Sequence, residues 1–139
     1  LGVSGLKLKK NFSNTTFDTI KINKILKKLK EKKIENVILE ASSHGLNQSR
    51  LDGLEFDIGI FTNFTRDHLD YHKTYKNYLN SKLILFKKLL KKKSYAIFDE
   101  GLKISPKLSR ITKLNKIEKF TIGNTKSSFE ILDHQFLKN

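Results

Sequence analysis

Apolar residues recur at helical spacing in two stretches of the chain. In the first stretch they lie three and four residues apart, with lysines between them, at Ile22, Ile25, Leu26 and Leu29. This pattern predicts an amphipathic helix over about residues 19–33. In the second stretch the apolar stripe consists of Tyr75, Tyr78, Leu79, Phe86 and Leu89. It predicts a helix that Thr74 caps and that runs to about residue 91.

Short apolar runs of the kind that form buried strands lie between and after these helices. They cover residues 37–39, 56–62, 95–98, 119–122 and 129–132. Strands that alternate with long helices indicate an α/β fold, with a mostly parallel sheet flanked by helices. Residues 41–50 are polar and contain Gly45, which predicts a loop or the turn into a short helix.

Three polar loops follow predicted strands, and they begin at Glu40, Asn63 and Asp99. In parallel sheets, ligands bind at the carboxyl ends of the strands. We therefore expect the functional site to lie among these three loops.

The composition fits one globular domain with a strongly basic surface. The chain has 139 residues, with 28 basic and 14 acidic side chains and a formal net charge of +14. Such a charge suggests a nucleic-acid-binding module. However, only Arg50, Arg66 and Arg110 are arginines, the side chain that nucleic-acid surfaces favour. The lysines are spread over predicted helix surfaces, so we favour solvated helix faces as the interpretation.

Other classes of protein are excluded by what the sequence lacks. Without cysteine, the chain has no disulfide scaffold, no catalytic thiolate and no zinc site built on cysteine. No apolar run approaches the length of about 18 residues that a transmembrane helix needs. The first ten residues contain neither an initiator methionine nor a signal sequence, and we expect the chain to be a piece of a longer protein.

Glu40 directly follows the strand predicted at residues 37–39. A carboxylate at this position is typical of sites that hold Mg²⁺ beside nucleotide phosphates, because this hard cation prefers oxygen ligands. A glutamate that caps a helix or pairs with a lysine would occupy the same position. The spacing alone leaves both interpretations open.

The segment at residues 66–72 contains two histidines and two aspartates. This density suits metal ligands, general bases or phosphate contacts. His68 and His72 would share a face only if the segment were helical, and no HExxH motif supports a zinc hydrolase. A hydrogen-bonded loop with helix caps explains the same residues.

Lys82 lies inside the apolar stripe of the second predicted helix, seven residues after Tyr75 and four before Phe86. A buried lysine must pair with an acid, extend its amine to solvent or lose its proton. A neutral amine reacts with CO₂ to form a carbamate, a carboxylate-like group that is able to bind Mg²⁺. The alternative is a lysine at the helix edge whose amine reaches solvent.

Asn14, Thr15 and Thr16 precede the first predicted helix. Amide and hydroxyl groups at the start of a helix are well placed to meet an anionic ligand. Most segments of this kind only cap the helix, so this interpretation also stays open.

Together, these segments resemble the Mur ligases, the ATP-dependent enzymes that add amino acids to the cell-wall precursor, and in particular the MurE type. The resemblance is carried by residues 14–16, 40–46, 61–72 and 78–86, together with Gln48 and Arg50. It spans roughly residues 1–86 without an obvious gap and is far more specific than a lone glycine motif. It implies a P-loop-like α/β fold and makes residues 1–139 a partial central (ATPase) domain.

The resemblance implies a ligase that adds diaminopimelate or lysine to UDP-N-acetylmuramoyl-L-Ala-D-Glu through an acyl phosphate, with ATP and Mg²⁺ as cofactors. Glu40, His68 and carbamylated Lys82 would be the catalytic, metal-binding residues. The substrate would be bound by Asn14, Thr15, Thr16, Ser42, Gln48 and Arg50. We expect a cytoplasmic enzyme of peptidoglycan synthesis that is monomeric in its full-length form and has no nucleic-acid or membrane partner.

The chain departs from the Mur ligase pattern in several ways. Phe17 stands where a proline is common, and residues 98–101 replace an Asn-Ala-Asp-Asp run. The chain lacks a glycine-rich phosphate loop, an N-terminal UDP-binding domain and a C-terminal domain, so we expect it to be inactive alone. Another ligase of the superfamily, of the cyanophycin or folylpolyglutamate synthetase type, is the first alternative, and a nucleic-acid-binding module is the second.

Overall fold

The computed structural model describes residues 2–3, 10–11, 16–123 and 127–131. Its helices are α1 (Thr19–Glu31), α2 (Ser43–Asn47), α3 (Leu69–His72), α4 (Tyr75–Lys82) and α5 (Ser105–Asn115), and a π-helical turn (Leu85–Leu89) follows α4. The strands are β1 (Gly2–Val3), β2 (Lys10–Asn11), β3 (Phe56–Phe61), β4 (Leu90–Asp99), β5 (Glu118–Gly123) and β6 (Phe129–Glu130). None of the described helices has the length and hydropathy of a membrane-spanning segment.

Four strands form one parallel sheet in the order β3-β4-β5-β6. Ile60 pairs with Ile97 between β3 and β4, and Ile97 pairs with Phe120 between β4 and β5. Parallel neighbours need crossover connections, and α3 and α4 lie between β3 and β4 while α5 lies between β4 and β5. The predicted α/β architecture, a parallel sheet flanked by helices, is confirmed. Strands β1 and β2 form a separate antiparallel pair.

The hydrophobic core lies between one face of this sheet and the helical segments. Its buried side chains include Phe61, Phe86, Ala96, Phe98 and Leu108. The rings of Phe61 in β3 and Phe86 in the π-helical turn have centroids 6.0 Å apart. On the other face of β3, Ile58 and Ile60 are 53% and 59% exposed. Parallel sheets are usually covered on both faces, whereas the described helices leave these two side chains uncovered.

Helix α1 confirms the first predicted helix. Asp18 caps it, because its side chain accepts a hydrogen bond of 2.9 Å from the backbone N–H of Lys21. Ile22 is buried in the core, and Leu26 packs against the core as a half-buried side chain. The apolar stripe seen in the sequence is therefore the face that packs.

The strand predicted at residues 37–39 is absent. Residues 34–42 form neither helix nor strand, and Val37 and Ile38 are 42% and 97% exposed. A strand needs a neighbour that exchanges backbone hydrogen bonds with it, and no described strand pairs with this segment. The apolar run at residues 37–39 was therefore not sufficient to predict a strand of the sheet.

The second predicted helix is confirmed, since α4 and the π-helical turn together reach Leu89, two residues short of the predicted end. The Thr74 hydroxyl accepts a hydrogen bond of 3.1 Å from the N–H of Asn77 and caps α4 as predicted. The helix ends at Lys82, and the chain passes through the π-helical turn into β4. Strand β4 begins at Leu90, which pairs with Phe56. Strand pairing therefore begins at residue 90, just before the end that was predicted for the helix.

The other predicted strands are confirmed, and two helices, the short α3 and α5, were missed. Residues 56–62 and 95–98 correspond to β3 and β4, while 119–122 and the start of 129–132 correspond to β5 and β6. Helix α5 was not predicted, although it carries Pro106 in its first turn. Proline is common at that position of a helix, so it is the signal that could have identified α5.

Candidate functional site

Polar segments that precede and follow β3 in the chain meet in one region of the fold. We call this region the site corner; it consists of Thr16 and residues 40–50 and 63–82 and contains α2, α3 and α4. Helix α2 confirms the turn into a short helix predicted within residues 41–50, and it packs against α4. Residues 63–82 follow the carboxyl end of β3, which is where parallel sheets bind ligands.

Lys82 is the last residue of α4 and is half-buried. Its Nζ lies 5.3 Å from the centroid of the Tyr78 ring, within the range of a cation–π contact. Burial lowers the pKa of the Lys82 amine, while the charges of Glu40 and Asp67 oppose that effect. The position inside the apolar stripe thus produces the desolvated amine that a buried lysine was expected to have.

His68 contacts the same tyrosine ring. Its ring centroid lies 5.8 Å from that of Tyr78. Its backbone N–H donates a hydrogen bond of 2.7 Å to Oδ1 of Asp67, and its Nε2 lies 3.5 Å from Oδ2 of the same residue. The φ angle of His68 is 54°, a left-handed conformation that costs a non-glycine residue roughly 1–2 kcal/mol. Asp67 therefore helps to hold the histidine in a strained position.

The side chains around Lys82 supply some of the ligands that a magnesium site needs. Within the described part of the chain, no three His, Asp or Glu side chains form a ready-made metal site. Glu40 and Asp67 supply carboxylate oxygens, which Mg²⁺ prefers, and both act on the Lys82 amine. A carbamate on Lys82 would add another oxygen donor at the same place. Glu40, His68 and Lys82 thus lie in one corner, and their role in metal binding stays a prediction.

Thr16 connects two segments of the site corner. Its side chain is 3% exposed, and its hydroxyl donates a hydrogen bond of 2.9 Å to the Glu40 carbonyl. The same oxygen accepts from the Ser42 N–H at 3.0 Å and lies 2.9 Å from the Ser42 hydroxyl. A Cβ at Gly45 would lie 2.6 Å from the Cβ of Thr16, so this close approach requires glycine. The Thr16 and Ser42 hydroxyls therefore make their hydrogen bonds within the protein.

Arg50 is held by a chain of hydrogen bonds. Its Nη1 donates to the Thr16 carbonyl at 2.8 Å, and its Nη2 donates to the side-chain oxygen of Gln48. The Gln48 amide donates to the Tyr71 hydroxyl at 3.0 Å, and that hydroxyl donates to Oδ1 of Asn47 at 3.0 Å. A guanidinium oriented in this way suits an anionic ligand group.

Part of the predicted substrate-binding set comes together in the site corner, namely Thr16, Ser42, Gln48 and Arg50. The predicted contacts Asn14 and Thr15 lie outside the described residues. Because Asp18 caps α1, the capping interpretation does not apply to Thr16. Contact with a substrate stays a prediction for the whole set.

Three residues of the site corner were not among the predicted site residues. The His44 ring centroid lies 5.0 Å from that of His68, and Asp67 acts electrostatically on Lys82. His72 is buried between helices. Asp67 and His72 belong to residues 66–72, and the density of His and Asp in that segment was the sequence signal that could have identified them. Nothing local in the sequence distinguishes His44.

An open groove of about 560 Å³ runs between α2, α3 and α4. Tyr71, Asn77, Asn80 and Ser81 are among the residues that line it. Tyr71 also bonds to Gln48, and Ser81 precedes Lys82 in the chain. The groove therefore borders the site corner, but neither Arg50 nor Lys82 is among the residues that line it. Its hydroxyl and amide groups suit a polar ligand.

The whole chain, and not only the site corner, is similar to known proteins. The family model of the Mur ligase middle domain matches residues 1–138. The chain belongs to the Mur ligase family. A solved structure of UDP-N-acetylmuramoyl-L-alanyl-D-glutamate–2,6-diaminopimelate ligase superposes with a TM-score of 0.77 at 28% identity, covering 91% of this chain and 26% of that one. The resemblance to Mur ligases of the MurE type is thereby confirmed.

Two curated Mur ligases show how much of such enzymes the chain spans. The UDP-N-acetylmuramoyl-L-alanyl-D-glutamate–L-lysine ligase of Staphylococcus haemolyticus (strain JCSC1435) is 38% identical over 129 residues, which are 88% of this chain and 26% of the relative. The corresponding 2,6-diaminopimelate ligase of Clostridium botulinum (strain ATCC 19397 / Type A) is 49% identical over 73 residues, or 52% of this chain and 15% of the relative. The chain thus spans about a quarter or less of these ligases.

Proposed function

We propose that the chain is the central, ATP-binding part of a longer ligase that adds lysine or diaminopimelate to UDP-N-acetylmuramoyl-L-alanyl-D-glutamate. This ligase would act in the cytoplasm as a monomer, in peptidoglycan synthesis. The names of the relatives support the substrates, and the match to the Mur ligase middle domain supports the use of ATP. The observation in this chain that carries the proposal is the half-buried Lys82 amine, on which Glu40 and Asp67 act.

Lys82 has the properties that carbamate formation requires. Only the neutral amine adds to CO₂: a bond forms between nitrogen and carbon, and one proton leaves to solvent. Burial lowers the pKa of Lys82 and so favours the neutral amine. The carbamate is negative and would lie close to the charges of Glu40 and Asp67, and a cation bound among them would offset the repulsion.

Mg²⁺ would be held by Glu40, His68 and the carbamate on Lys82. When bound, it supplies positive charge that stabilises the nucleotide phosphates beside the substrate carboxylate. The residues of this chain keep the donors in place. Asp67 accepts a hydrogen bond from the His68 N–H, and Thr16 donates to the Glu40 carbonyl.

The proposed reaction joins a carboxylate to an amine in two steps. First, a carboxylate oxygen of the substrate's D-glutamate bonds to the γ-phosphorus of ATP, and the bond from that phosphorus to ADP breaks. Second, the amine nitrogen of the incoming amino acid bonds to the acyl carbon, phosphate leaves, and the nitrogen loses a proton. Two anions approach each other in the first step, so positive groups of the site must offset their repulsion.

Arg50 is the side chain of the site corner best suited to bind an anionic group of the substrate. Its guanidinium is oriented by Thr16 and Gln48, and an arginine fork binds carboxylate or phosphate through two parallel hydrogen bonds. Arg50→Ala should therefore weaken substrate binding more than it lowers turnover. The other members of the proposed substrate-binding set are Asn14, Thr15, Thr16, Ser42 and Gln48.

The test measures ligation in the full-length polypeptide. Lys82→Ala and Lys82→Arg should each lower ATP-dependent ligation of the muramoyl dipeptide by about 100-fold or more, because neither side chain forms the carbamate. Lys76→Ala is the control, since Lys76 is an exposed lysine of the same helix. It should retain wild-type turnover.

A second measurement detects the carbamate directly. With ¹³C-labelled bicarbonate, the wild type and Lys76→Ala should give a carbamate signal in the NMR spectrum that both Lys82 variants lack. Wild-type turnover in Lys82→Ala would overturn the proposal, and so would an unchanged carbamate signal in that variant.

A further inference from the structure

His72 forms two hydrogen bonds that join different helices of the site corner. Its side chain is 5% exposed. Its Nε2 lies 3.0 Å from the hydroxyl of Ser43 in α2, and its Nδ1 lies 3.4 Å from the hydroxyl of Ser81 in α4. Both serines are also buried. The imidazole at the end of α3 therefore bridges α2 and α4.

The bonding of Ser81 indicates which ring nitrogen of His72 carries the proton. The Ser81 hydroxyl donates its single hydrogen to the carbonyl of Asn77 at 2.9 Å. Toward His72 the same oxygen can only accept, so the proton lies on Nδ1. In the neutral ring, Nε2 then accepts from the Ser43 hydroxyl. Burial lowers the pKa of His72, and His44 and His68 lower it further, which favours the neutral ring.

Each of the two serines is next to a residue of the proposed site. Ser43 follows Ser42, which is the N-cap of α2, and Ser81 precedes Lys82 at the end of α4. The imidazole thus connects a substrate-binding segment with the helix that carries the reactive amine. A change in either hydrogen bond would move one side of the site corner relative to the other.

We propose that His72 is a positioning residue for ligation: through Ser43 it holds the substrate-binding segment in place, and through Ser81 it holds the amine of Lys82 where the carbamate forms. The inference rests on the function proposed above. Side chains that orient the residues of a metal site typically change affinity or activity by about 10- to 100-fold when they are replaced.

Two conservative substitutions separate the two hydrogen bonds. In His72→Asn, the amide N–H takes the place of Nδ1 and can donate to Ser81, but no atom reaches Ser43. In His72→Gln, the amide oxygen takes the place of Nε2 and can accept from Ser43, but no atom reaches Ser81. In the full-length polypeptide, we expect His72→Asn to raise KM for the muramoyl dipeptide by about tenfold with little change in kcat. We expect His72→Gln to lower kcat by about tenfold with little change in KM.

The carbamate signal from ¹³C-labelled bicarbonate gives a readout that does not depend on turnover. His72→Gln and Ser81→Ala should show less carbamate than the wild type at the same bicarbonate concentration. His72→Asn and Ser43→Ala should show the wild-type amount. The serine variants remove the same two bonds from the other side, so they test the inference even if a His72 variant does not fold.

Leu108→Ala is the control for lost stability, because Leu108 is buried in α5, outside the site corner. If His72→Asn and His72→Gln both match this variant in KM, kcat and carbamate per folded molecule, the positioning role is overturned. Lys82→Ala, measured in parallel, separates the two proposals. Normal ligation in Lys82→Ala would overturn the proposed function, whereas loss of ligation there with wild-type constants in both His72 variants would overturn only this inference.

Discussion

The site corner and the packing of β4 against α5 are held together by different kinds of contact. In the site corner, buried Thr16 bonds to Glu40 and Ser42, which lie 24 and 26 residues further along the chain. His72 bonds to Ser43 across 29 residues. Each of these bonds joins one donor atom to one acceptor atom, so the segments have little freedom to shift.

The interior between β4 and α5 is mainly apolar. Phe98 and Leu108 are 1% and 0% exposed, and the buried Thr112 hydroxyl donates within its own helix, to the Ser109 carbonyl. Apolar burial is non-directional, whereas a polar network stabilises only when every buried group has a partner. Substitutions in β4 and α5 should therefore change stability alone, and those in the site corner should change the geometry of the site as well.

The largest expected change in stability comes from the apolar side of this comparison. Leu108→Ala should lower the free energy of unfolding by about 2–5 kcal/mol, because it leaves a cavity at a fully buried position. Urea denaturation measures this change. Ligation per folded molecule should stay at the wild-type level, and a loss of turnover in the folded fraction would contradict the separation of the two regions.

Gly45→Ala should have the next largest effect, in the site corner. The new Cβ would lie 2.6 Å from the Cβ of Thr16, and such overpacking typically costs about 1–3 kcal/mol. Gly53→Asn is the control: no atom lies within 4 Å of a Cβ there, and asparagine tolerates the positive φ. Thermal unfolding should show a clear loss for the first variant and a smaller loss, caused by the positive φ alone, for the second. Equal losses would mean that the contact with Thr16 is not decisive.

Replacing one buried threonine in each region compares the contribution of a buried hydroxyl in the site corner with that of one in α5. Thr16→Val leaves the Glu40 carbonyl and the Ser42 N–H without this partner, which should cost about 1–2 kcal/mol. Thr112→Val removes only a bond within α5 and should cost less. Urea denaturation of both variants measures the difference. A cost for Thr112→Val as large as that for Thr16→Val would contradict the comparison.

The smallest effect concerns the charge of Lys82. Burial lowers its pKa, so the unfolded chain binds this proton more tightly than the folded chain does. Stability should therefore rise with pH between the folded pKa and the ordinary value of 10.5. In CO₂-free buffer, the free energy of unfolding of the wild type minus that of Lys82→Met should increase over this range. A decrease would show that the charges of Glu40 and Asp67 outweigh burial.

Several elements were predictable because local spacing is enough to define them. The stripe of α1, the runs of β3 and β4, and the Thr74 cap each depend on residues a few positions apart. Lys82 was predictable for the same reason, since its place in the apolar stripe involves only its own helix. The family resemblance then related Glu40, His68 and Lys82 to one another.

The rest of the site corner depends on contacts that no local pattern contains. The charge of Asp67 acts on Lys82 only because the loop after β3 folds back toward α4. His72 is bonded to Ser43 only because α2 and α4 pack together. The sequence indicated an unusual density of titratable residues at 66–72 but not which of them would be buried.

By itself, the sequence determined most of the helical and extended stretches, which family they resemble and which side chains have the required chemistry. Only the tertiary structure decided that residues 37–39 do not join the sheet, that α4 ends at Lys82, and that the Thr16 hydroxyl bonds inside the protein. The physical reason is that periodicity records the burial of one face of a segment, which is a local property. Strand neighbours and hydrogen-bond partners come from distant parts of the chain, and only packing brings them together.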